Sequence, residues 1–342
     1  MTYMQKEILE QPQRLKESYD YNRENLDRIA QAVRSRKLRH FVLSARGSSD
    51  KAGIYFKYLS EIKLGIPVTF AAPSVHTLYG SSVDYSDSLV IGVSQSGQAK
   101  DVISVLDYAN KKGALTVAIT NYEDSPLGKT AQYCLHLHVG EEKAIAATKT
   151  FTAQLYLLGL LVAKIGQDSV LENEFSILPS ILEEALTKLD DVKRLAMNFV
   201  NVKSCFVLGR GYQYAIAEET ALKLMETTYI HAFSYSISDF YHGPLALADE
   251  HSHAIIFAPN DKTFENSLEM IAELKRKNVH LTVFSDHAVE GIENCLILPK
   301  APEEVMPLVN VICAQSFAMY LALEKGLNPD SPRNLKKVTI TE

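Results

Sequence analysis

Short, unbroken apolar runs rich in Val, Ile and Leu punctuate the chain, separated by longer stretches whose apolar positions recur at spacings of three and four. The first kind reads as buried strand and the second as amphipathic helix. HFVLS before Ala45-Arg46-Gly47, LVIGVS at 89–94, ALTVAIT at 114–120 and YCLHLHV at 133–139 form one series, and DVISVLDYANKKG is a helical stretch within it, closed by Gly. The series then returns. RHFVLSARGSS (39–49) is echoed by SCFVLGRGYQ (204–213), LVIGVS by AIIFAP (254–259), ALTVAIT by HLTVFS (280–285) and YCLHLHV by NCLILPK (294–300), in the same order. Such self-similarity means one structural plan used twice.

Runs apolar on both faces and alternating with helices predict parallel sheets covered on both sides. The expected fold class is therefore α/β, with two tandem doubly wound parallel-sheet domains related by the repeat. The expected segmentation is a helical N-terminal segment (1–29), a first domain (30–170), a helical linker (171–194), a second domain (195–325) and a tail (326–342).

Composition narrows the function classes. With 46% hydrophobic and 22% charged residues the chain has the make-up of a soluble globular protein. Net charge is −6 with no dense Lys/Arg block, which argues against nucleic acid or an anionic membrane as partner. Cys134, Cys205, Cys295 and Cys313 show no CxxC pairing and lie mostly in apolar runs, so no metal and a reducing, cytoplasmic setting are expected. The start MTYMQKEILEQPQRLK lacks the apolar core of a signal peptide, and no apolar run is expected to reach the ~18 residues of a membrane helix.

The chemistry concentrates where strands hand over to helices, the ligand edge of an open parallel sheet. LVIGVS breaks at Ser94-Gln95-Ser96-Gly97, which combines backbone N–H groups at a helix start with hydroxyl and amide donors suited to phosphate. A Ser-rich turn that merely caps the helix would look the same. Ser48 and Ser49 repeat the design one strand earlier, and AIAATKT (144–150), with Ala147, gives a third small, hydroxyl-bearing segment. GxxxxGK[ST] and GxGxxG are both absent, which disfavours a nucleotide. In the second half, Glu219, Lys223 and Glu226 fall at i, i+4 and i+7 on one helical face, either a solvated ion-pair surface or a reactive one. This helix follows FVLGRGYQY, so its start belongs at the ligand edge. His242, before Gly243-Pro244, is a loop histidine available for acid–base work. Lys336 and Lys337 stand in a polar tail.

SQSG, AATKTFTAQL, ALKLMETTYIHAFSY, HGPLAL and PRNLKKVTITE, in this order, identify a resemblance over essentially the whole chain. It resembles the double SIS-domain phosphosugar isomerases, in particular the isomerase half of glucosamine-6-phosphate synthase and the SIS-type glucosamine-6-phosphate deaminases, whose domains are flavodoxin-like. The resemblance implies that Ser94, Gln95 and Ser96 hold the substrate phosphate, with Ser48 and Ser49 near phosphate and sugar hydroxyls. It also places Ala147 and Glu219 at the substrate. Glu226 would carry the proton between C1 and C2, Lys223 would stabilise charge on the neighbouring oxygen, His242 would open the sugar ring from a neighbouring subunit of a homodimer, and Lys337 would assist at C1 and C2 from a tail folded over the site. No cofactor is implied.

Some positions depart from the family. Ala99 replaces a threonine after the SQSG loop, Ala147 a serine and Lys336 an alanine, and SDFY precedes His242 where the synthase has GELK. The synthase also begins with a glutaminase domain, whereas about 30 residues precede the first SIS repeat here. Glucosamine 6-phosphate plus water to fructose 6-phosphate and ammonia is the expected reaction; an isomerase or deglycase of another phosphorylated amino sugar, or a phosphosugar sensor, are the alternatives.

Overall fold

The computed structural model describes residues 1–338, so the final four residues of the expected tail lie outside the described residues. Two compact units emerge, each drawn from several parts of the chain. Among the described residues, the first comprises 13–142, 149–176 and 336–338; the second comprises 1–12, 143–148 and 177–335.

In the first unit, strands β1 (His40–Ser44), β2 (Val68–Phe70), β3 (Ser88–Val93), β4 (Leu115–Thr120) and β5 (Tyr133–His136) form a wholly parallel sheet in the order β2-β1-β3-β4-β5. Every residue of β3 and β4 is buried, the burial that an apolar run on both faces predicts. Helix Lys100–Lys111 covers the sheet through Val102, Val105, Leu106 and Ala109, packed against Val42, Val90 and Ala118. Their three- and four-residue spacing is the apolar stripe read from the sequence.

The second unit repeats the plan. β6 (Ser204–Gly209), β7 (His231–Ser236), β8 (His253–Phe257), β9 (His280–Ser285) and β10 (Cys295–Ile297) are parallel in the order β10-β9-β8-β6-β7, which is the first order with each strand replaced by its counterpart. All four echoed runs thus occupy equivalent positions: β1 with β6, β3 with β8, β4 with β9, β5 with β10. Helix Phe264–Arg276 buries Met270, Ile271 and Leu274 against Phe206, Leu208 and Ile256.

One expectation is corrected here. Helix Met306–Glu324 is long and apolar enough to cross a membrane by length and composition, but 89% of its most apolar window is buried inside the protein. It packs on helices Gln213–Thr228 and Leu189–Met197. Two of its polar residues bond to partners far along the chain: Asn310 Nδ2 donates to Gln213 Oε1 at 2.8 Å, and Gln11 Nε2 donates to Gln315 Oε1 at 2.7 Å.

Candidate functional site

In a doubly wound sheet of order 2-1-3-4-5, the connections from the first and third strands leave on opposite sides, opening a crevice at their carboxyl ends. In the first unit that switch point lies between β1 and β3. The loops flanking it are Ala45–Gly47, leading into helix Ser48–Leu64, and Ser94–Ala99, leading into helix Lys100–Lys111. Ser48, Ser49, Ser94, Gln95 and Ser96 are therefore brought to one edge of one sheet.

The second loop is held by its own backbone. Ser94 N–H donates to Ile119 O at 3.0 Å, Gly97 N–H to Ser94 O at 3.1 Å, and Gln95 O accepts from Asn121 N–H at 3.0 Å. Gly97 has φ +64°, and a Cβ there would lie 2.0 Å from Ser125 Oγ, so only glycine allows the turn. Ala99 is the N-cap of helix Lys100–Lys111 and offers no capping hydroxyl, while Asp101 Oδ1 accepts the Val102 N–H at 2.9 Å in the first turn. Arg46 from the other loop pairs with buried Asp101 at 2.8 Å, joining the two sides of the switch point. Neither partner's role was visible in the sequence, because the pairing spans two loops distant along the chain.

The third expected loop does not join them. Lys143–Thr148, with Ala147, groups with the second unit. There Glu7 anchors it: Oε1 accepts the N–H groups of Lys143 at 2.5 Å and Ala144 at 3.2 Å, and Oε2 accepts the Thr148 hydroxyl at 3.1 Å. Gln315 Nε2 donates to Thr148 O at 3.2 Å. A glutamate in the N-terminal helix gave no local sign of this task.

The second unit concentrates its charge on helix Gln213–Thr228. Lys223 Nζ lies 3.3 Å from Glu219 Oε1 and 2.5 Å from Glu226 Oε2. Lys223 and Glu219 have side chains only 1% exposed, whereas Glu226 keeps 21%, so this face is a buried triad open at one member rather than a solvated surface. Burial opposes the Lys223 charge, but the two carboxylates outweigh it and hold the ammonium pKa above its usual value. The positional argument from the sequence needs correcting. Gln213 starts the helix after β6, yet Glu226 stands in the last turn, about 20 Å along the axis from that start. The triad owes its character to burial and pairing, not to the carboxyl edge of its own sheet.

His242 occupies an exposed turn after helix Ile237–Phe240, its N–H donating to Asp239 O at 3.0 Å. Lys337 groups with the first unit, its Nζ 2.5 Å from Glu142 Oε2. Glu142 is buried and also accepts Thr150 N–H at 3.0 Å and Thr150 Oγ1 at 2.8 Å. It pins the tail lysine to the start of helix Lys149–Gly166, a partner the sequence reading missed. All four cysteines are free, and burial raises their thiols, to about 12 for Cys134, Cys205 and Cys313.

Comparison with known proteins gives a consistent picture. The SIS domain model matches residues 36–164 and again 198–325. The glutamine–fructose-6-phosphate aminotransferase [isomerizing] of Aquifex aeolicus (strain VF5) is 35% identical over 353 residues, covering 99% of this chain. The chain spans 58% of that relative's length. The C-terminal domain of glucosamine-fructose-6-phosphate aminotransferase from Francisella tularensis superposes with a TM-score of 0.88 at 27% identity, over 97% of this chain and 98% of the other. A candidate phosphosugar isomerase from Silicibacter pomeroyi DSS-3 gives 0.87 at 30% identity, over 96% and 100%.

Proposed function

Because the chain belongs to the SIS-domain family, we propose that it converts a phosphorylated amino sugar, glucosamine 6-phosphate, and water to fructose 6-phosphate and ammonia. The observation that carries this reading is the buried triad, in which one base, Glu226, keeps a share of its surface while its ammonium partner is locked in place. Moving a proton between adjacent carbons calls for such a base beside a fixed positive charge.

In this reading each unit has its own task. Ser94, Gln95 and Ser96, with Ser48 and Ser49, hold the phosphate before the start of helix Lys100–Lys111. His242, supplied from a second copy of the chain, and Lys337 assist ring opening, which exposes the C1 aldehyde. The Glu226 carboxylate takes the proton from C2, giving an enolamine, while Lys223 balances the negative charge growing on the C1 oxygen. Glu226 returns the proton to C1. The product is a C2 imine, which water attacks, releasing ammonia and leaving the ketone of fructose 6-phosphate. Ala147 lies beside the sugar, and Glu219 fixes Lys223.

The test is to give purified protein glucosamine 6-phosphate without glutamine and to measure ammonia and fructose 6-phosphate. Equal release of both supports the reading. Binding detected by thermal shift without release overturns it in favour of a different amino sugar phosphate or a sensor, which a panel of sugar phosphates then separates.

A further inference from the structure

The outer end of β5 carries a second cluster of chemistry that the proposed reaction does not use. Leu135, Leu137 and Val139 are fully buried, so the intervening His136 and His138 emerge on the other face. Both line a cavity of about 350 Å³ whose wall also includes Asn121, Tyr122 and Gly140. His138 has φ +53°, a left-handed conformation that a residue with a side chain seldom adopts, and its ring stacks on Tyr21 with centroids 4.4 Å apart.

The tautomer of His136 follows from its partner. Nε2 lies 2.9 Å from Asn121 O, and a carbonyl can only accept, so Nε2 carries the hydrogen and a neutral ring presents its lone pair at Nδ1. That Nδ1 faces Nδ1 of His138 at 3.4 Å. The separation stands at the long end of hydrogen bonding. It suits two nitrogens each ~2.05 Å from one tetrahedral ion, which stand about 3.3 Å apart.

Glu123 Oε1 lies 4.0 Å from His136 Nδ1, on a side chain 43% exposed. Among the described residues no three His, Cys, Asp or Glu side chains already stand in a closed metal set, so an approach of Glu123 is the adjustment that binding requires. Arg14, which also lines this cavity, is engaged by Glu17 at 2.7 Å. A backbone carbonyl behind a ligating imidazole is the usual outer support of a metal-bound histidine.

We propose that His136, His138 and Glu123 form a binding site for a divalent transition ion of the zinc class. Two imidazoles and one carboxylate favour such an ion over Mg²⁺, which demands six oxygens. The site adjoins the phosphate-side loop through Asn121, whose carbonyl meets His136 and whose N–H donates to Gln95 O at 3.0 Å.

The experiment uses the full chain without a histidine tag. Metal-stripped protein is titrated with Zn²⁺ by calorimetry and with Co²⁺ by visible absorption, alongside His136→Asn, His138→Asn and, as a surface control, His251→Asn, with folding followed by circular dichroism. The expected result is one equivalent of Zn²⁺, tetrahedral Co²⁺ bands in the unaltered protein, affinity weakened at least about tenfold in either site variant, no change in His251→Asn, and no binding of Mg²⁺. Absence of a stoichiometric site in the unaltered protein, or unchanged affinity in folded His136→Asn and His138→Asn, overturns the proposal and leaves the pair as a histidine–histidine hydrogen bond. Should either asparagine variant fail to fold, His136→Gln or His138→Gln takes its place, and unchanged affinity there overturns the proposal in the same way.

Discussion

Replacing Lys223 by Met removes the ammonium that stands between the Glu219 and Glu226 carboxylates while keeping an unbranched chain of similar length. Glu219, with its side chain 1% exposed, then sits buried without its ammonium partner at 3.3 Å. Breaking a buried ion pair from one side costs about 3–5 kcal/mol, a large share of a domain's ~5–15 kcal/mol. For a domain of this size the loss corresponds to roughly 6–20 °C in the unfolding midpoint. The second change, Glu219→Gln in the same protein, removes the orphaned charge and should restore about half or more of the loss, because replacing both partners is far less harmful than replacing one. The pH dependence has a definite sign. Lys223 has its folded pKa raised, so its contribution is complete below the unfolded value and is lost only as pH rises through the folded one. Stability of the unaltered cluster should be flat from pH 6 to 9 on this account. An unpaired buried carboxyl is tolerated best when protonated, so the deficit of Lys223→Met should shrink as pH falls toward 5. Differential scanning calorimetry across this range, on both single variants and the double, measures all three quantities. A loss under ~1 kcal/mol for Lys223→Met, or a double variant no more stable than the single, would refute the reasoning, since buried pairs respond on the scale of several kcal/mol.

Two further outcomes follow from the first unit. Ser94→Ala combined with Ser96→Ala should raise KM for the sugar phosphate by about tenfold or more with a much smaller change in kcat, because the lost hydrogen bonds act on ground and transition state alike; steady-state kinetics separates the two parameters. Ala99→Thr should supply the missing N-cap hydroxyl and raise stability by about 0.5–2 kcal/mol in urea unfolding, since the backbone at this position is already extended.

Much of this architecture was legible because it rests on local periodicity. Four strand runs in each half announced themselves as apolar stretches, and their repetition in order implied two copies of one sheet. β2 did not, since Val68–Phe70 is three residues with two of them exposed. Helix Met306–Glu324 was misjudged because Asn310, Gln315 and Ser316 stand within its apolar run, and only tertiary structure reveals that Asn310 and Gln315 bond to residues far along the chain. For the candidate site, the i, i+4, i+7 pattern placed Glu219, Lys223 and Glu226 on one face, but spacing alone favoured a solvated, ion-paired surface. Burial decides otherwise, and burial belongs to the fold. Glu7, Arg46, Asp101 and Glu142 were unreadable for a simpler reason: each acts on a backbone or side-chain partner far away in sequence, and no local pattern encodes such a pair.

The central claim is that Glu226 moves a proton between adjacent carbons of an amino sugar phosphate. Proton NMR in D₂O tests it without depending on ammonia release. Incubated with glucosamine 6-phosphate, the unaltered protein should place deuterium at C1 of the ketose product, and Glu226→Gln should slow this exchange by about 10²–10⁴-fold while still binding substrate. Deuterium entering at an unchanged rate in a folded Glu226→Gln protein, or never entering in the unaltered one while product forms by another route, would contradict the account.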